Sequence, residues 1–202
     1  VTGRRLLTSE YAAIGGASPL PAITARQARA LQAKLVQELA FPLNVRHGFL
    51  FAEPSVEACL EELTGHEIVA LPLSPFGVRQ TRDRYRAALD EAGAADVPIL
   101  EGWYASRGFV KAISKRVAEA LDGSDASEWA VLFTAHNVPV ENVLEGDPYV
   151  EQLQQTIAQL VPRITPGDWR FALQSKGRGG GEWLEPEAAD VVRALAADGW
   201  EK

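Results

Sequence analysis

The most informative segment of this sequence is Ala130-Val131-Leu132-Phe133-Thr134-Ala135-His136-Asn137-Val138-Pro139. It begins as an apolar run with the composition of a buried strand and reaches a histidine before a proline ends it. In open parallel sheets, ligands bind in the crevice at the carboxyl ends of the strands. The run therefore predicts that His136 lies on the rim of such a sheet, where an imidazole can bind a metal or accept a proton.

Helix and strand patterns alternate through the rest of the chain. Helical spacing is clearest at Ala28, Leu31, Leu35 and Leu39, which predict one buried stripe. Alternation of this kind is typical of an α/β fold with a parallel sheet and crossover helices. We predict helices at 24–39, 54–64, 81–92, 109–121, 148–161 and 186–197, and strands at 45–51, 67–73, 97–100, 129–135 and 169–173.

A polar, turn-rich break at residues 122–127 separates two halves of the chain. It predicts an N-terminal domain, 1–122, and a second domain, 123–202. The second half contains only two predicted strands, too few for an independent parallel domain. Because the chain opens on Val1, has no methionine and stops just after a predicted helix, we expect it to be truncated at both ends.

Composition narrows the class of protein. With 20 basic and 27 acidic side chains the net charge is −7, and the interspersed signs form no basic stripe that would bind nucleic acid. The single cysteine, Cys59, excludes an intramolecular disulfide and any iron-sulfur cluster that needs several thiolates from this chain. No apolar run reaches the roughly 18 residues of a membrane span, and no secretory signal is recognisable. We therefore expect a cytoplasmic protein that is not integral to a membrane.

Further motifs accompany the histidine in a fixed order. They are Tyr11-Ala12-Ala13-Ile14-Gly15-Gly16-Ala17-Ser18-Pro19-Leu20, Trp103-Tyr104, Gly146-Asp147-Pro148-Tyr149, Gln174-Ser175-Lys176-Gly177 and Trp183-Leu184-Glu185-Pro186. In order and spacing they resemble the ferrochelatase family, in either its protoporphyrin or its coproporphyrin branch. The resemblance covers nearly all of this chain but not all of the family. It implies two flavodoxin-like, chelatase-type halves, of which the second is incomplete here.

The resemblance also implies an activity, the insertion of Fe(II) into a porphyrin ring in haem biosynthesis. It implies that His136 is the catalytic residue and metal ligand, and that Tyr11, Ser18 and Tyr104 bind the ring. Iron(II) and the porphyrin would be substrates, no organic cofactor would be needed, and the protein would be a monomer.

The chemistry of the reaction agrees with a histidine. Metal insertion must remove the pyrrole protons and strip water from the ion, and a neutral imidazole can ligate iron(II) or accept a proton near neutral pH. One group cannot easily do both tasks, so we expect a carboxylate across the cleft to share them. In the family that acid lies in a C-terminal section that this chain lacks.

One position departs from the family pattern. Glu10 precedes the tyrosine where relatives that use coproporphyrin tend to carry arginine, and an acid there would repel a propionate. This weakens the case for coproporphyrin and leaves protoporphyrin open.

Several alternatives remain open. The chain could bind a tetrapyrrole without metallating it, or be a related chelatase for cobalt and a corrin precursor. Without the motif, His136 would be interpreted as a strand-end histidine bonded to backbone carbonyls, Ser18 as part of a turn, and Tyr11 and Tyr104 as half-buried aromatics. The remaining motifs we interpret as structural: His47, His66, the helix start at Asp147-Pro148 and the glycine-rich loop 176–181, which lacks the Walker pattern.

Overall fold

The computed structural model describes residues 11–13, 15–177 and 181–202. These residues form two compact units, which are described separately. The first contains the chain up to Glu67 together with Ala87–Asp96, and the second contains Ile68–Arg86 and Val97–Lys202. The predicted domain boundary at residues 122–127 concerns independent domains, which these units do not test, and it stays a prediction.

The first unit is built on helices. Helix α1 spans Leu20–Leu39 and helix α2 spans Val56–Glu62, which begins where the Ser55 hydroxyl accepts the Ala58 N–H. The predicted stripe on α1 is only partly buried, because Leu39 is 49% exposed. The predicted strand 45–51 is wrong: only a single bridge, Phe49 to Ser55, forms there. The Phe49 N–H bonds locally to the Pro54 carbonyl, which makes a turn instead of a ladder.

Helix α3, Arg79–Glu91, contributes residues to both units. In the second unit the predicted strands 67–73 and 97–100 are wrong as strands, since they meet only at the parallel bridge between Ala70 and Ile99. The Ala70 N–H donates to Pro98, and the Leu100 N–H donates back to Ala70. The next ladder bonds would need N–H groups from Pro72 and Pro98, and proline has none. Proline therefore confines the ladder to one bridge.

The regular sheet of the second unit consists of two parallel strands, β1 at Ala130–His136 and β2 at Asp168–Gln174. Their register pairs Ala130 with Asp168 and His136 with Gln174. The connection between them carries helices α5, Val140–Leu144, and α6, Tyr149–Ile164. This crossover confirms the α/β class with a parallel sheet. The short α5 was not predicted.

Helices cover both faces of this sheet. Helix α4, Arg107–Leu121, packs Val110 against Leu160 and Ile164 of α6, with Val131 and Phe133 of β1 beneath them. Helix α7, Ala188–Ala197, packs on the opposite face, where its buried Val191 and Leu195 meet Ala130 and Leu132 of β1 and Ala172 of β2. Because neighbouring strand residues point to opposite faces, β1 supplies apolar side chains to both layers. Among the residues that the structure describes, no helix has the length and apolar character needed to cross a membrane.

Gly167 gives a test of this packing. A Cβ atom there would lie 2.1 Å from the Ser127 carbonyl oxygen and 2.7 Å from the Trp200 ring. The backbone cannot easily withdraw, because the Gly167 N–H already bonds to the Trp129 carbonyl. We expect Gly167→Ala to lower the free energy of unfolding by about 3 kcal/mol or more, as measured by urea denaturation.

The matched control is Gly108→Ala in α4, where an added Cβ meets no atom within 4 Å. We expect that variant to unfold within about 1 kcal/mol of the wild type. Equal stability of the two variants would show that residues 127, 167 and 200 are not packed as described.

Candidate active site

His136 is the last residue of β1 and its side chain is exposed. The chain turns inward directly afterwards, since Asn137 and Val138 are 6% and 8% exposed. The Asn137 N–H donates to the Gln174 carbonyl, and its side-chain amide donates to the Leu184 carbonyl. The imidazole is therefore exposed at the carboxyl end of a strand, which is the predicted rim position. Two hydrogen bonds fix Asn137, the residue that follows it.

A buried aromatic side chain lies beside this strand end. Tyr149, at the start of α6, is 7% exposed and packs with Val138 and Leu153. Burial raises the pKa of its phenol, the nearby backbone of His136 opposes that shift, and the charge of Asp147 adds to it. Tyr149 thus belongs to a cluster that includes Val138, two residues after the histidine, and that packs against Ala135, the residue before it.

Asp147 is a buried carboxylate, 5% exposed, that joins two helix starts. Its Oδ1 accepts the Tyr149 N–H and its Oδ2 accepts the Arg79 N–H, each at 3.0 Å. Asp147 thus accepts the first N–H of α6, but the predicted positions are wrong by one residue, because the helix begins at Tyr149 and Pro148 occupies the N-cap position. The bond to α3 was not predicted.

Tyr104 lies in a 3₁₀ turn, Trp103–Ala105. Its ring stacks on Phe76 with centroids 6.3 Å apart, and Phe76 meets Tyr149 edge to face at 5.9 Å. Aromatic contacts therefore connect Tyr104 to the side chain beside His136. The Tyr104 hydroxyl donates to Gln155 Oε1 at 2.8 Å, so this donor has a protein partner.

Tyr11 and Ser18 belong to the first unit, whereas His136 and Tyr104 belong to the second. Both side chains are exposed, and the Ser18 hydroxyl accepts the Leu20 N–H at 3.2 Å near the start of α1. The loop between them closes through the Gly16 N–H and the Tyr11 carbonyl, with Gly16 at φ 88°. Their predicted role in ring binding stays a prediction. Glu10 and Ile14 lie outside the described residues.

Residues 182–184, which follow β2, bond to residues 137–140. The Val140 N–H donates to the Glu182 carbonyl, and Gly177 lies so close to Trp183 that a Cβ would be 2.7 Å from its ring. Lys176 pairs with Glu187 at 2.7 Å and Glu185 at 2.9 Å, and these hydrogen bonds raise its pKa. The lysine of the predicted glycine-rich loop is thus held by carboxylates; the loop's residues 178–180 lie outside the described part of the chain.

The other histidines differ from His136 in their surroundings. His66 places Nδ1 3.2 Å from the Leu63 carbonyl, and the ring of His47 meets Phe49 edge to face. Within the described ranges, no three His, Cys, Asp or Glu side chains converge on a point that could hold a metal. The role of His136 as a ligand or base, and the opposing acid, stay predictions.

Sequence reasoning missed the tertiary roles of Asn137, Asp147 and Tyr149. Asn137 Oδ1 is buried without a partner among the described residues, although the amide nitrogen is bonded. The only signal in the sequence was position, since Asn137 follows the histidine and the other two lie in the Gly146–Tyr149 motif.

The chain is similar to known proteins, both to a family and to individual relatives. A family described as "Ferrochelatase" matches residues 4–202. A ferrochelatase of Herpetosiphon aurantiacus is 28% identical over 96% of this chain, and one from Synechococcus sp. is 33% identical over 94%. A coproporphyrin III ferrochelatase of Listeria innocua is 28% identical over 94%. The chain spans 67%, 58% and 65% of these three relatives, respectively.

Proposed function

This chain belongs to the ferrochelatase family, and we propose that it provides the histidine-bearing part of an enzyme that inserts ferrous iron into a porphyrin. The single observation that carries the proposal is His136: an exposed imidazole at the carboxyl end of a parallel strand, within the sequence that the family matches. Iron and the ring are substrates, and no organic cofactor takes part.

The reaction exchanges both pyrrole protons of the free-base ring for one ferrous ion. A neutral imidazole offers a nitrogen lone pair either to the incoming ion or to a departing proton. His136 is suited to this task because its side chain is open to solvent while the backbone around it is bonded to Gln174 and packed on Tyr149. We assign it one of these two roles, with a carboxylate from outside the described residues taking the other.

Tyr11, Ser18 and Tyr104 complete the proposed site as residues that orient the ring. Tyr104 supports this role by its place in the aromatic group with Phe76 and Tyr149. Because its hydroxyl is bonded to Gln155, we assign Tyr104 to packing against the ring, and not to donating to a propionate. Some relatives are named ferrochelatase and others coproporphyrin III ferrochelatase. We therefore propose a porphyrin as the substrate and do not specify the substituents on its ring. We propose the cytoplasm as its compartment.

Titration of the gene's full product with a free-base porphyrin separates catalysis from binding. We expect saturable changes in the ring's absorbance and, on anaerobic addition of iron(II), conversion of the bound ring to its metallated spectrum. Ring binding with no metal insertion at saturating iron(II) would instead identify a tetrapyrrole-binding protein. Preference for a corrin precursor over a porphyrin would identify the cobalt chelatase alternative.

A further inference from the structure

Asn137 makes two hydrogen bonds in different directions directly after His136. Its backbone N–H donates to the Gln174 carbonyl at 2.7 Å, which extends the pairing of β1 with β2 past the histidine. Its side-chain amide donates at 2.9 Å to the carbonyl of Leu184, 47 residues along the chain. The residue is 6% exposed, so water competes poorly for either bond. One buried side chain thus joins the end of β1 to a segment that follows β2.

That segment, residues 182–187, is called the strap. It is bonded to the turn after β1 at two further places. The Val140 N–H donates to the Glu182 carbonyl at 3.0 Å, and Pro139 forms an antiparallel bridge with Trp183. Together with the asparagine amide, these contacts fasten the strap to the chain just beyond the histidine.

The strap is held separately at β2. The N–H of Leu173, which is 1% exposed, donates to the Pro186 carbonyl at 2.9 Å. Lys176 pairs with Glu185 at 2.9 Å and with Glu187 at 2.7 Å. Because these contacts involve β2 and its following loop but not the asparagine, the strap is a fixed point against which the asparagine amide holds the end of β1.

We propose that Asn137 is a positioning residue for His136: its side-chain amide ties the end of β1 to the strap, and the peptide that joins the two residues is thereby held in one orientation. That orientation sets the direction in which the imidazole leaves the backbone and meets the metal or proton. The role rests on the proposed function, because it supposes that the imidazole acts on a substrate.

Asn137→Ala in the full gene product tests the assignment, since alanine keeps the backbone bond to β2 and removes the side-chain tie to the strap. Asn142→Ala is the matched control, because Asn142 is a half-buried asparagine of α5 that bonds through its backbone N–H and carbonyl. The first readout is hydrogen exchange of the Val140 amide, measured by NMR without substrate. We expect Asn137→Ala to speed this exchange by about 2- to 12-fold, the range that one net hydrogen bond supports, and Asn142→Ala to leave it unchanged.

The second readout is the kinetics of metal insertion. We expect Asn137→Ala to lower kcat by about 2- to 12-fold with KM for the porphyrin nearly constant, because the ring still binds while the imidazole is less well directed. Asn137→Ser should behave in the same way, since its hydroxyl is one bond shorter than the asparagine amide and does not reach the Leu184 carbonyl. Asn142→Ala should keep both constants.

Unchanged exchange at Val140, or a higher KM with full kcat, would overturn the positioning role. Failure of both Asn137 variants to fold would overturn it as well, because the residue would then be a requirement of the fold. A wild-type protein that inserts no metal would overturn the proposed function, and the exchange comparison would still decide whether Asn137 ties the strand end to the strap.

Discussion

Replacing His136 by alanine is expected to lower kcat for metal insertion by about 10²- to 10⁴-fold, the range associated with a positioned acid-base group. The exposed imidazole at the end of β1 is the proposed nitrogen ligand or proton acceptor. Alanine removes it without disturbing a buried contact, because the adjoining Asn137 and Val138 carry the packing. Initial rates of metalloporphyrin formation in the full gene product provide the measurement.

His66→Ala is the appropriate control for that experiment. His66 is also exposed, but its Nδ1 faces the Leu63 and Thr64 carbonyls at 3.2 and 3.3 Å within one local turn. We expect His66→Ala to keep the wild-type rate. A normal rate in His136→Ala, or the same loss in both variants, would remove His136 from the mechanism.

Asp147→Ala is expected to reduce the free energy of unfolding by about 2–4 kcal/mol. The substitution removes two hydrogen bonds at once and leaves the N–H groups of Arg79 and Tyr149 without their acceptor. Both groups lie at helix starts, where no intrahelical carbonyl can replace the lost oxygen. Urea denaturation of the variant measures the effect.

Asp125→Ala provides the comparison, because Asp125 also caps a helical turn through the Ser127 N–H but is exposed. We expect a clearly smaller loss there, since water can satisfy the freed N–H. The loss in Asp147→Asn should lie between the losses in Asp147→Ala and Asp125→Ala, because asparagine keeps one acceptor oxygen. Equal losses at positions 125 and 147 would contradict the view that Asp147 joins two helices across the second unit.

The parts of the fold that sequence predicted well are those in which the pattern and the contacts are local. The predicted helix 148–161 forms α6, where Leu153, Ile157 and Leu160 are buried, and the run before His136 forms β1 with an error of one residue at each end. Both patterns report burial directly.

Segment 67–73 shows where the same reasoning failed. Its apolar run has the composition of a buried strand, but a ladder also needs N–H donors on both partners. The prolines at positions 72 and 98 remove those donors on either side of the Ala70 bridge. Composition predicted burial, but Val69, Leu71 and Leu73 are 56%, 39% and 45% exposed. The outcome depended on pairing between segments that are distant in sequence.

The same contrast between local patterns and long-range contacts applies to the candidate site. His136 could be found because a strand pattern ends on it. The long-range hydrogen bonds of the second unit could not be predicted. Asp147 accepts the Arg79 N–H and Gln152 accepts the Gly77 N–H, across 68 and 75 residues of chain. No periodicity records such pairs, and the donor in each case is a backbone N–H that any residue except proline could supply.

We assign His136 to the metal step and not to holding the ring. To separate these two roles, wild type and His136→Ala are loaded with free-base porphyrin to the same occupancy and each is mixed anaerobically with iron(II). We expect similar ring affinity in the two proteins and rapid conversion to the metallated spectrum in the wild type alone. Equal rates of metal insertion into the bound ring would contradict it.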